Sequence, residues 1–251
     1  GGGGPPLLAS GAGRVGTPRP GRLAVVVTAP TIDPAAVADA LDAVRERIRV
    51  VAGARASEVS VLAVTKGFGA DAIDAAVAAG IGAIGENYAQ ELLSKADALD
   101  RHGSALQVHF IGQLQSNKVR SLVDRVHRFE TVDRPSLVRE LAKRRPGAHM
   151  LVQVDTTGEP GKGGCAEADV AALVEQARDA GLAVDGLMTV GPTEGGAAVA
   201  RPGFARVRRA VDELGLTVCS MGMTADLEVA VAAGSTEVRI GTALFGPRPS
   251  R

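Results

Sequence analysis

Residues 59–66 read VSVLAVTK, an apolar run closed by a single lysine, and two-residue alternation puts Lys66 on the face of Leu62 and Val64. A lysine partly withdrawn from water loses its proton more readily, and the free amine can attack an aldehyde to give a Schiff base. The same placement suits a structural ion pair, and position alone leaves both readings open. Towards the other end, SMGM (220–223) and RIGT (239–242) close two further apolar runs. Backbone N–H groups around Gly222, Gly241 and Thr242, with the hydroxyls of Ser220 and Thr242, make a cradle for an anion. The alternative is that these small residues only ease the closure of a sheet. Arg239 shares a face with Gly241, and a permanent cation turned inward needs something to bond. Lysine, cradle and arginine together suit one ligand class, a phosphorylated aldehyde.

The elements that must position these residues follow a regular alternation. DPAAVADALDAVRERIRVVAGA, from Asp33, carries an N-cap aspartate, Pro34 at the first helical position and Val37, Leu41, Val44 and Ile48 on one stripe. Eight apolar or β-branched runs follow, at 59–66, 81–87, 108–114, 128–133, 150–156, 183–190, 217–223 and 237–245, each consecutive pair separated by a helical segment. Strands buried on both faces and joined through helices form a parallel sheet, and this number fits a closed (β/α)8 barrel of the TIM type better than an open doubly wound sheet. The N-terminal helix then covers the outer face beside the eighth strand. Active sites of such barrels lie at the C-terminal strand ends, where Lys66, Asn87, Gln113, Asp155, Met188, Ser220 and Arg239 fall. Residues 1–32, rich in Gly, Pro and Arg, read as a disordered extension, and 33–251 as the barrel domain.

The chain also carries AVTK, GENYAQE, HFIGQLQSNK, GLMTV and SMGMTADLEVAVAAGSTEVRIGTALFG. They resemble the pyridoxal phosphate homeostasis proteins, a family related to the barrel domain of alanine racemase, over about residues 35 to 247. The resemblance implies pyridoxal 5'-phosphate as cofactor, covalently bound to Lys66 as an aldimine. It further implies that Ser220, Gly241 and Thr242 hold the phosphate, that Arg239 meets the pyridine nitrogen, and that Asn87 lies near the ring. Gly222 is carried over with them. Two positions depart from the family: Phe68 stands where a second lysine is frequent, and Gln113 replaces a frequent proline.

An arginine at the pyridine nitrogen leaves that nitrogen unprotonated and weakens the ring as an electron sink. Racemases of this fold carry a further β-rich domain with a catalytic tyrosine, whereas the sequence here stops at Arg251 and its only tyrosine is Tyr88. The expectation is therefore a protein without catalytic turnover that buffers or delivers pyridoxal phosphate, with apo forms of pyridoxal phosphate enzymes as partners. The alternatives are a racemase- or decarboxylase-type enzyme, and a Schiff-base aldolase with Asp155 as its acid or base. GIGAIG (80–85) matches a dinucleotide fingerprint in letters alone, since it follows a helix and enters a strand.

Balanced charge, 28 acidic against 28 basic residues, and 2% aromatics give no field or stacking surface for nucleic acid. No apolar run is long enough to span a membrane. Cys165, in a glycine loop and read as exposed, and Cys219, in a strand, lack CxxC spacing and suit a reducing cytoplasm. The four histidines share no metal-ligand spacing. A monomer or weak dimer is expected.

Overall fold

Asp33 starts the first helix: its side chain accepts from the Ala35 N–H at 3.0 Å, and Pro34 takes the first helical position. In the computed structural model, which describes residues 1–4 and 31–248, helix α1 (Pro34–Ala52) buries Val37, Leu41, Val44 and Ile48, the stripe expected from the sequence. A 3-10 segment (Gly53–Glu58) leads into eight strands alternating with helices. These are β1 (Ser60–Val64), α2 (Ala70–Ala78), β2 (Ala83–Glu86), α3 (Ala89–Ser94), α4 (Ala96–His102), β3 (Gln107–Phe110), α5 (Ser116–Leu122), β4 (Arg128–Val132) and α6 (Pro135–Arg144). The second half holds β5 (His149–Gln153), α7 (Val170–Asp179), β6 (Ala183–Met188), α8 (Gly196–Glu213), β7 (Val218–Ser220), α9 (Leu227–Ala232), β8 (Glu237–Ile240) and α10 (Thr242–Phe245).

All strands are parallel and close in chain order, with β8 meeting β1 through the registers Leu62↔Arg239 and Ala63↔Ile240. Alternation sorts the side chains. Ala63, Ile84, Val108 and Ile240 join the apolar layer between strands and helices, which leaves Leu62, Val64 and Lys66 turned to the barrel interior. Helix α1 packs on α2, α9 and α10, over the β8–β1 closure. No helix among the described residues is long and apolar enough to cross a membrane.

The strands stop short of their apolar runs. The run 237–245 leaves the sheet after Ile240 and turns through α10, and the run 183–190 ends at Met188. The helical segment between β2 and β3 is broken at Lys95 into α3 and α4, and the Lys95 ammonium is drawn under the end of β1. Ser116 is the first residue of α5, whose N-cap Gln115 makes no side-chain capping bond. Cys165 is buried, not exposed, since it bridges to Val154 beside β5, and burial pushes its thiol up to about 11. The extension expected over 1–32 falls, for residues 5–30, outside the described residues; a compact unit runs from Ile32 onwards.

Candidate functional site

A cavity of about 340 Å³ opens at the C-terminal ends of the strands. Lys66, Asn87, Arg239, Gly241 and Thr242, all singled out by the sequence, line it together with Val64, Phe68, Ile111, Met188, Thr224 and Arg248. Its wall holds three cationic side chains and, among the described residues, no carboxylate. Such a cavity repels cations and favours a ligand with more than one negative charge. A larger cavity, about 690 Å³, lies at the other end of the barrel against α1, and its two arginines, Arg45 and Arg49, are paired with Asp42 and Glu46.

Among the described residues Lys66 reaches only Asn87, with Nζ 3.5 Å from Oδ1. Burial lowers the pKa of its ammonium, and the guanidiniums of Arg248 and Arg239 act in the same direction against the carboxylates of Glu91 and Glu86. The backbone on either side is pinned by a buried triad that the sequence reading missed. Lys95 Nζ donates to the Thr65 carbonyl (2.9 Å), to Glu86 Oε1 (2.6 Å) and to Glu91 Oε1 (2.7 Å). The Thr65 hydroxyl donates to Glu86 Oε1 at 2.7 Å, and the Gly67 N–H donates to Glu91 Oε1 at 2.6 Å. Both neighbours of Lys66 are thus fixed while its side chain carries no ion pair among the described residues.

Arg239 is held differently. Its Nη1 donates to Ser220 Oγ at 2.8 Å and its Nη2 to the Thr189 carbonyl at 2.7 Å. Ser220 in turn donates to Glu130 Oε2 at 2.9 Å, and the other Glu130 oxygen lies 2.7 Å from His109 Nδ1. Burial lowers the His109 pKa to about 4, so the ring is neutral and donates to Glu130. Arg128 donates to Glu237 deeper in the barrel, and its Nη2 lies 3.5 Å from Glu130 Oε1 and 3.2 Å from His109 Nδ1. His109, Glu130 and Glu237 present ligand atoms within 4.8 Å of one another, a grouping from three strands that sequence spacing does not show. The Arg128 guanidinium sits where a cation would, in contact with all three.

Two expected site residues stand outside the cavity wall. The Ser220 hydroxyl is fully buried and engaged by Arg239 and Glu130. Gly222 has a φ of +97°, a Cβ built on it would lie 2.4 Å from the Ala230 Cβ, and its carbonyl accepts the Arg239 N–H at 3.0 Å. Thr224, two residues on, supplies a hydroxyl in the wall; its signal was in the motif SMGMT. Phe68 and Arg248 also line the cavity. Asp155, the aldolase candidate, belongs to an adjoining pocket of about 140 Å³ and accepts from the N–H groups of Thr157 and Gly158, which hold its carboxyl below the usual range.

Comparison with known proteins gives a consistent picture. Residues 40–249 match the family of the alanine racemase N-terminal domain. The chain is 40% identical over 223 residues to a pyridoxal phosphate homeostasis protein of Pseudomonas aeruginosa, an alignment covering 84% of this chain and 96% of that protein. The structure of PipY from Synechococcus elongatus with pyridoxal phosphate bound superposes with a TM-score of 0.73 at 32% identity, covering 84% of this chain and 100% of that one. Alanine racemase from Streptomyces coelicolor, at 20% identity and a TM-score of 0.66, shares the barrel; the match spans 87% of this chain and 60% of the racemase.

Proposed function

The chain belongs to the pyridoxal phosphate homeostasis proteins, within the family of the alanine racemase N-terminal domain, and from that premise we propose that it binds pyridoxal phosphate and holds it covalently on Lys66. The observation that carries this reading is the cavity: an amine of depressed basicity, two guanidiniums and no carboxylate in the wall among the described residues. Lys66 is the amine that would take the aldehyde carbon of a bound cofactor, the carbonyl oxygen departing as water. The cofactor supplies an aldehyde and an electron-accepting ring.

Gly241, Thr242 and Thr224 would hold the phosphate. Arg239 would donate to the pyridine nitrogen, with Asn87 beside the ring and the lysine. Ser220 serves the site by aiming Arg239, and Gly222 by letting the chain turn between β7 and α9. Among the described residues no carboxylic acid, histidine or phenol lines the cavity to move a proton on a bound amino acid. This supports a holder that buffers the cofactor or passes it to apo-enzymes over a racemase or decarboxylase, and the separate pocket of Asp155 disfavours the aldolase.

Purified protein given pyridoxal phosphate is expected to turn yellow and to retain the cofactor after borohydride reduction. Lys66→Ala abolishes both. A variant that keeps the colour and a reducible adduct removes Lys66 from its assigned role.

A further inference from the structure

The cavity has a cation that neither the strand ends nor the motifs account for. Beyond α10 the chain turns at Gly246, where φ is +75°, and Pro247 and Arg248 follow. Arg248 is exposed, lines the same cavity as Lys66 and Arg239, and makes no ion pair among the described residues. Its stem lies against the loop after Lys66: a Cβ built on Gly67 would stand 2.9 Å from Arg248 Cδ, and Gly67 has a φ of +79°. A ring contact holds the two segments together, Phe68 packing on Phe245 of α10 with centroids 5.3 Å apart. The lysine loop and the segment after α10 therefore meet at the mouth of the cavity, with a guanidinium between them that has no ion-pair partner among the described residues.

We propose that Arg248 is the third cation of the ligand site, a specificity residue that closes the mouth over Lys66 and pairs with the phosphate of the bound aldehyde. The inference rests on the reading of the cavity as a pyridoxal phosphate site. A planar donor fork matches a phosphate in two hydrogen bonds, and a guanidinium with no ion-pair partner among the described residues gives up none of these on taking the ligand. The groups facing Lys66 are the cations Arg248 and Arg239 and the carboxylates Glu91 and Glu86. Arg248 therefore also lowers the basicity of the Lys66 amine until the anion arrives and neutralises the guanidinium.

The test compares Arg248→Ala and Arg248→Lys with the unaltered full chain, using pyridoxal phosphate and pyridoxal as paired probes. Loss of one charge-assisted contact weakens binding of pyridoxal phosphate roughly tenfold or more in Arg248→Ala. Uptake of pyridoxal changes by less than about threefold, because only the phosphorylated probe carries the partner anion, and Arg248→Lys recovers part of the loss. A second readout needs no cofactor. Acylation of Lys66 by a neutral amine reagent shifts to higher pH in Arg248→Ala, and inorganic phosphate protects Lys66 in the unaltered chain more than in the variant. Equal losses for both probes, or unchanged uptake and an unchanged pH profile, overturn the role of Arg248 alone. An unaltered chain that takes up neither aldehyde overturns the reading of the cavity, and with it the pairing proposed here.

Discussion

Two sides of one cavity are built on different buried clusters, and the difference separates a reactive group from a fixed one. On the β1–β2 side the triad of Lys95, Glu86 and Glu91 grips the backbone of Thr65 and Gly67, so the Lys66 side chain stands on a rigid base with its amine free. On the β7–β8 side the bonds run to the side chain itself, from Arg239 through Ser220 to Glu130 and His109. In the proposed site Lys66 has to travel between free amine and imine while Arg239 has to stay in place, and the buried polar groups of the two sides hold different atoms in keeping with that assignment.

The sharpest way to break this comparison is to remove the cation of the triad. Lys95 and Glu86 are both buried, and Lys95→Met leaves two carboxylates without their shared partner. Breaking such a pair costs ~3–5 kcal/mol, to be read as a lower urea midpoint, and adding Glu86→Gln restores part of it. Imine formation slows in Lys95→Met because Thr65 and Gly67 lose their anchors. A loss under ~1 kcal/mol with an unchanged rate would show that the triad neither stabilises the fold nor positions Lys66.

Ser220→Ala acts on the other side and more gently. It strips one partner from Arg239 and one from Glu130, while Arg239 keeps its bond to the Thr189 carbonyl. The expected cost is ~1–3 kcal/mol, the range for a buried donor and acceptor left unmade. The affinity for pyridoxal phosphate falls less than in Arg248→Ala, since the guanidinium is loosened and not lost. If Ser220 instead held the phosphate directly, the variant would lose phosphate-dependent affinity with little change in stability, and the measured pair of effects tells these apart.

Much of this was legible in the sequence, for reasons that particular residues make plain. The alternation of apolar runs and helical segments specifies a barrel because a parallel strand needs a crossover and both faces covered, and Lys66, Asn87 and Arg239 could be placed because they end those runs. The face of Lys66 followed from Leu62 and Val64 by period two alone. What could not be read were pairings across strands. Ser220 as a relay depends on Glu130, 90 residues away in sequence, and the Arg128–Glu237 bond joins residues 109 apart. Lys95 had a local signal, since Glu91 precedes it by four, yet the helix break that turns its ammonium inward is set by Thr65 and Glu86. Arg248 lies beyond the last strand, where no periodicity marks a residue as part of a wall.

The smallest effect concerns protons, and it again distinguishes the two clusters. Burial holds His109 down, from an ordinary value of 6.5 to about 4, and burial together with Glu130 lifts Glu237 from 4.5 to about 7. Between about pH 4.5 and 6.5 the unfolded chain carries more proton on His109, so that residue makes stability rise with pH. In the same window the folded chain carries more proton on Glu237, whose contribution is present below its unfolded value and is lost as pH rises through about 7. Each slope is at most about 1.4 kcal/mol per pH unit, and the two oppose each other, so the cluster as a whole leaves stability nearly flat there. Glu237→Gln removes the falling term, and its urea midpoint should climb relative to the unaltered chain from about pH 4.5 to 6.5. His109→Gln should show the reverse trend, and Lys95→Met, which leaves the Glu86 carboxyl, already raised by burial, without the ammonium that lowers it, should lose further stability as pH rises. Parallel curves for Glu237→Gln and the unaltered chain would mean that the carboxyl under the Arg239 side is ionised throughout, and that the two clusters differ in what they hold but not in how they carry charge.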